Sequence, residues 1–149
     1  MDINVDLFFQ VVKYMANMST SLFTGGVLYY LITEYPSMME VGQKHAADHW
    51  RSMFKRAGPY NMSLISISIL SSFLAYYLRH ERSTLYAGIV MTIVFGFSII
   101  VIPTYRTLLT AVEEANLERS TVLIKKWSRY HIVSAVFGLI ALSCLFLNL

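Results

Sequence analysis

Four long runs of apolar residues, at about 7–34, 60–79, 84–103 and 127–147, alternate with two more polar stretches at 36–58 and 104–126. Each run offers roughly the 20 residues that an α-helix, rising about 1.5 Å per residue, needs to cross a hydrocarbon layer about 30 Å thick. The pattern predicts an all-α fold, an integral membrane four-helix bundle forming one domain over 1–149. The polar stretches become helical extensions or loops gathered at one membrane face. Three prolines punctuate the pattern. Pro36 disfavours helical geometry at Tyr35, so the first helix is predicted to end or kink there with Glu34 in its C-terminal turn. A carboxylate at that end is opposed by the helix dipole and so calls for a partner. Pro59 opens the second run, and Pro103 kinks or ends the third.

Polar residues inside the first run, Gln10, Lys13, Asn17, Ser21 and Thr24, recur at helical spacing and form one stripe that should face protein or water. A charge within a span costs about 3 kcal/mol unless it finds a partner or reaches the surface. Lys13, near the helix start, is read as snorkelling outward, and Asn17 as a candidate substrate-binding group. The serines at Ser63, Ser66, Ser68, Ser71 and Ser72 are read as packing and back-bonding groups, because no base stands beside them in sequence. Gly25-Gly26, and Gly88, Thr92 and Gly96 at every fourth position, predict close helix approach.

Composition supports the membrane reading, with 56% of residues hydrophobic and 14% charged. The N-terminus carries Asp2 and Asp6 and no basic region, so the first helix is expected to be kept rather than removed as a signal peptide. Cys144 is the only cysteine, which excludes a disulfide within the chain and argues against a thiolate metal site. The net charge of +3 comes from basic residues that flank apolar runs, so nucleic acid is excluded as a partner. The expected partners are the lipid bilayer and a hydrophobic small molecule, and homo-oligomerisation stays open. Lys and Arg concentrate in the loops after the first and third runs. By the positive-inside rule those loops are cytoplasmic, and both termini lie on the non-cytoplasmic side.

Candidate chemistry concentrates between Glu34 and Pro59, where His45, Asp48, His49, Trp50 and Arg51 follow one another beside a membrane boundary. His45 and His49, four apart, share a helix face. With Asp48, Glu34 and His131 they could give a nitrogen and oxygen ligand set for zinc, iron or copper, or a site for haem. The same spacing also arises on solvated helix faces. At the fourth run, Trp127, Arg129, Tyr130 and His131 form an aromatic and basic belt, and Trp127, His131, Ser134 and Gly138 share a face.

Several of these pieces, taken in order, resemble one family. They are Phe23-Thr24-Gly25-Gly26, Glu34-Tyr35-Pro36, Trp50-Arg51-Ser52-Met53-Phe54 with Gly58-Pro59, Pro103-Thr104, and Trp127 with Arg129 and His131. The chain is similar, from about Phe23 onward, to the four-helix membrane family that includes the fungal anthrone oxygenases and many bacterial members known only as a domain of unknown function. It departs from that family one turn after the histidine, where Ser134 stands in place of a frequent arginine. The resemblance implies an oxidoreductase that uses dioxygen on a hydrophobic aromatic substrate and requires no cofactor. His131 would then be the base or acid and Glu34 its orienting group. Arg129 or Arg51 would stabilise the oxyanion, and Trp50 and Trp127 would offer flat surfaces to the substrate. Two other readings stand beside it: a metal- or haem-binding membrane protein, and a non-enzymatic tetraspan that binds lipid or a partner protein.

Overall fold

The computed structural model describes residues 3–147, and among them every element is helical. Helix α1 spans Ile3–Tyr29, a π-helical turn covers Tyr30–Glu34, and the path continues into a short α2, Tyr35–Glu40. Three long helices follow: α3 Gln43–Arg79, α4 Arg82–Glu113 and α5 Leu117–Leu147. All three are long and apolar enough to cross a membrane. The 27-residue α1 is not among the helices that meet this standard, because Gln10, Lys13 and Asn17 dilute its apolar surface. Asp2 lies outside the described residues.

The helical path continues through all three prolines, so that of the end or kink expected at Pro36 and Pro103 no end is found. At Pro36 the chain widens into the π turn, closed by a bond from the Tyr35 N–H to the Tyr30 carbonyl, so the missing proline N–H falls where the ladder is already irregular. Glu34 therefore sits within a continuing helical path. The break comes later, at Gly42, whose φ of 111° is open to glycine and strained for other residues. Pro59 and Pro103 lie inside α3 and α4, each leaving the carbonyl four residues earlier without its helical donor. The membrane-edge segments are thus mostly continuations of the long helices.

Two tight links close the chain. His80 adopts a left-handed conformation (φ 52°) between α3 and α4, and its N–H bonds to the Tyr76 carbonyl at 2.7 Å. Asn116 caps α5, its Oδ1 accepting from the Arg119 N–H at 3.1 Å. Helix α1 packs on α3 and α5, and α4 packs on the same two. The N-terminal half of α1 and the α3–α4 link share one end, tied by Lys13 to Glu81 at 2.5 Å and by the Asp6–Arg79 ion pair. Lys13 thus finds a carboxylate partner instead of snorkelling alone.

Of the polar stripe of α1, Thr24 is buried and Lys13, Asn17 and Ser21 are half-buried. Thr20 and Ser68 share a fully buried 2.6 Å hydrogen bond, whereas Gln10 stays exposed. Ser63 and Ser66 bond back to the carbonyls of Pro59 and Met62, the role expected of them. Close packing falls at only some of the glycines expected to allow it. Gly25, Gly26 and Gly96 have nothing within 4 Å of where a Cβ would be, while at Gly138 a Cβ would come 2.5 Å from the Thr24 Oγ1. Gly88 does carry a close contact, against the Phe73 ring.

The outer faces bear large exposed apolar side chains such as Ile32, Leu70, Tyr77 and Ile100. That is the surface expected of helices compatible with a bilayer.

Candidate functional site

Between α1, α3, α4 and α5 the helices part around a cavity of about 470 Å³. That volume lies within the roughly 300–1,000 Å³ typical of small-molecule sites. Its wall is largely apolar, with Phe23 and Val27 from α1, Phe54 and Ile65 from α3, Phe97 and Ile102 from α4, and Trp127 from α5. Helical spacing explains the set: 23 and 27; 54, 58, 61 and 65; 98, 102 and 105; and 127, 131 and 134 each fall on one face. Those faces coincide only because α3 and α4 continue through their prolines.

His131 is the histidine of this wall. Its ring lies between Tyr30, at 4.8 Å centroid separation, and Trp127, at 5.0 Å. Nδ1 stands 3.1 Å from the Trp127 carbonyl oxygen, one turn earlier on α5. A carbonyl can only accept, so Nδ1 carries the hydrogen. In the neutral ring Nε2 then holds the lone pair. The backbone fixes the tautomer, with no carboxylate involved.

The remaining polar wall residues divide by whether they are already engaged. The Ser98 and Ser134 hydroxyls bond to the carbonyls of Val94 and Tyr130 on their own helices. Asn61, Tyr105, Tyr130 and Arg106 have no side-chain hydrogen bond among the described residues. Arg106 is the one residue of the wall with a permanent charge.

The expected site residues do not all converge. Trp127 lines the cavity, but Trp50 sits behind the wall and is fully buried, stacked on Phe54 at 5.5 Å and edge-on to Trp127 at 5.8 Å. It shapes the wall without facing a ligand. Arg129 is exposed and lies outside the wall, and Arg51 turns toward Glu113 at 3.4 Å. Asn17 donates to the Lys13 carbonyl at 3.0 Å, also outside the wall. Glu34 does not orient His131: its carboxylate meets His49 Nε2 at 2.8 Å. Sequence reasoning did not assign Arg106 or Tyr30 to the site. Continuing the third helix through Pro103 would have placed Arg106 one turn beyond Ile102 on the same face.

Glu34, His45, Asp48 and His49 border a separate surface recess with Tyr29 and Met38. His131 is not part of it, so the ligand set Glu34, His45, His49 and His131 is not assembled. Among the described residues no three His, Cys, Asp or Glu side chains are placed to hold a metal ion. The residues therefore do not fit the metal centre that their spacing suggested. A His–Glu pair on a solvated helix face accounts for them.

A family model described as anthrone oxygenase matches residues 50–144. The matched segment contains Trp50, Arg106, Trp127 and His131, and it leaves out Glu34, His45 and His49. No curated protein and no solved structure matches the chain.

Proposed function

Because the chain belongs to the anthrone oxygenase family, we propose that it is a membrane oxidoreductase that uses dioxygen to oxidise a flat, hydrophobic aromatic substrate in the cavity beside His131. In this reading α1 crosses the bilayer with α3, α4 and α5 as a four-helix bundle. Its polar side faces the other helices, and both termini lie on the non-cytoplasmic side. The observation that supports the chemistry most is the bond from His131 Nδ1 to the Trp127 carbonyl, which leaves Nε2 as a base within an apolar wall.

The reaction balances with dioxygen alone. Nε2 takes a proton from the methylene carbon flanked by aromatic rings, and the electron pair left behind spreads onto the ketone oxygen as an enolate. The enolate passes one electron to dioxygen, and the two radicals join at that carbon as a peroxide. The imidazolium returns its proton to the distal oxygen. Loss of water from the hydroperoxide then converts the methylene to a carbonyl, so that the substrate's CH₂ and O₂ become C=O and H₂O. Asn61, Tyr105, Tyr130 and the Trp127 indole N–H are unengaged neutral hydrogen-bonding groups of the wall, available to the enolate oxygen. Apolar walls exclude water from the peroxide.

The test is oxygen consumption with an anthrone by the protein in detergent or lipid nanodiscs. His131→Ala, and His131→Phe, which keeps a ring between Tyr30 and Trp127, should both lose turnover while circular dichroism shows a folded protein. Undiminished turnover in either would sink the base assignment. No oxygen uptake by the unmodified protein with any anthrone would favour the non-enzymatic tetraspan.

A further inference from the structure

The cavity's wall is uneven, apolar in its depth and cationic at its edge. Its exposed members, Pro59, Ile99, Ile102 and Arg106, all belong to α3 and α4, so the mouth lies between those helices. Arg106 stands at the outer end of that mouth. The stack of Phe54 on Tyr105, at 4.0 Å, and the edge contact of Phe54 with Trp127, at 5.2 Å, put Arg106 level with Trp127. His131 is one turn deeper on α5, with Val27, Ile65 and Phe23 beyond it.

The guanidinium has no ion pair and no side-chain hydrogen bond among the described residues, in contrast to Arg51, which meets Glu113. An arginine that is unneutralised on the rim of a largely apolar wall with no other permanent charge favours a ligand oxygen that carries charge, and its planar fork suits a carboxylate or phenolate.

We propose that Arg106 sets the specificity of the cavity, selecting flat, largely apolar molecules with an ionised oxygen at one end. That oxygen sits on the guanidinium and the rings run inward past His131. The inference rests on the cavity being the substrate site, as read above, and not on the oxidation itself. A lipid headgroup offers the same anionic chemistry, so the test must separate the two sources.

Quenching of Trp127 and Trp50 fluorescence in phosphatidylcholine nanodiscs provides the measurement, with anthraquinone-2-carboxylate and its neutral carboxamide as probes and empty discs correcting for partition. The carboxylate should bind about tenfold more tightly. Arg106→Gln should remove that preference by weakening the carboxylate alone, and Arg106→Lys should keep part of it. Arg106 is exposed, so neither change is expected to disturb folding. Equal binding of the two probes to the unmodified protein would overturn the proposal and leave the oxidase reading standing, as would equal weakening of both by Arg106→Gln. Binding of neither probe would remove the cavity as the ligand site, and the oxidase reading with it. In discs containing anionic phosphatidylglycerol the preference should persist. Its loss there would assign the guanidinium to lipid headgroups and end the proposal.

Discussion

Adding one methyl group at Gly138 should loosen the site from seven residues away. A Cβ there would lie 2.5 Å from the Thr24 Oγ1 and 3.2 Å from both its Cβ and its Cγ2. Rotating Thr24 moves Oγ1 but leaves its Cβ at 3.2 Å, and the side chain, 1% exposed, has little room to turn. Helices α1 and α5 must therefore separate. Overpacking of this kind costs about 1–3 kcal/mol, while alanine regains up to about 1 kcal/mol of helix propensity over glycine. We expect Gly138→Ala to destabilise by about 1–2 kcal/mol on these grounds. The separation should also reach the contact between Tyr30 and His131, because Tyr30 follows α1 within two turns of Thr24 and His131 lies two turns before Gly138 on the same face of α5. Thermal unfolding in detergent, read with oxygen uptake, measures both effects. Thr24→Ala removes Oγ1 and Cγ2, so Gly138→Ala should be close to neutral in that background, with a coupling of about 1–2 kcal/mol between the two sites. Gly138→Ala that is as stable as the unmodified protein, or equally costly with and without Thr24, would refute the reasoning.

Two further outcomes follow from the polar contacts. Lys13→Met removes the cation from a half-buried Glu81 and should cost about 1–3 kcal/mol in thermal or detergent unfolding, with Lys13→Met/Glu81→Gln recovering part of it. The double change His45→Ala/His49→Ala removes an exposed pair with Glu34, worth less than about 1 kcal/mol, and should leave turnover and metal content unaltered. Lost turnover or lost stoichiometric metal would restore that cluster to the site.

What could be read ahead of the structure was whatever depends on periodicity within one helix. The shared face of Trp127, His131, Ser134 and Gly138 holds, and it supplies both the cavity histidine and the close approach to α1. Assignments that needed the path of the backbone through a proline went astray. Reading an end or kink at Pro36 placed Glu34 in a C-terminal turn in want of a partner, whereas Glu34 lies in a π turn of a continuing path and finds that partner in His49. Leaving Pro103 as either a kink or an end left open the register that brings Arg106 to the wall. The glycines misled for another reason. Glycine permits close approach, but whether a neighbour comes close depends on the opposite helix, as the empty space at Gly25 and the Thr24 contact at Gly138 illustrate.

Three departures from regular helix border the cavity. Pro59 lies in its wall, Pro103 stands between wall residues Ile102 and Tyr105, and Tyr30, the first residue of the π turn, rests against His131. The other half of the molecule is regular and closely packed, with Ala16, Ala75 and Ala87 buried at the helix contacts and Thr20 bonded to Ser68 between α1 and α3. Sequences that violate local rules tend to do so where a function needs it. Here each of the three removes a hydrogen bond or a straight register beside the place where the helices part around the cavity. The close approach of Thr24 and Gly138 sets the spacing of α1 against α5, which the open half inherits at Tyr30 and His131. For that reason a residue outside the cavity, Gly138, is the sharper probe of the arrangement: a change there leaves every wall side chain in place and alters only the distance between the helices that carry them.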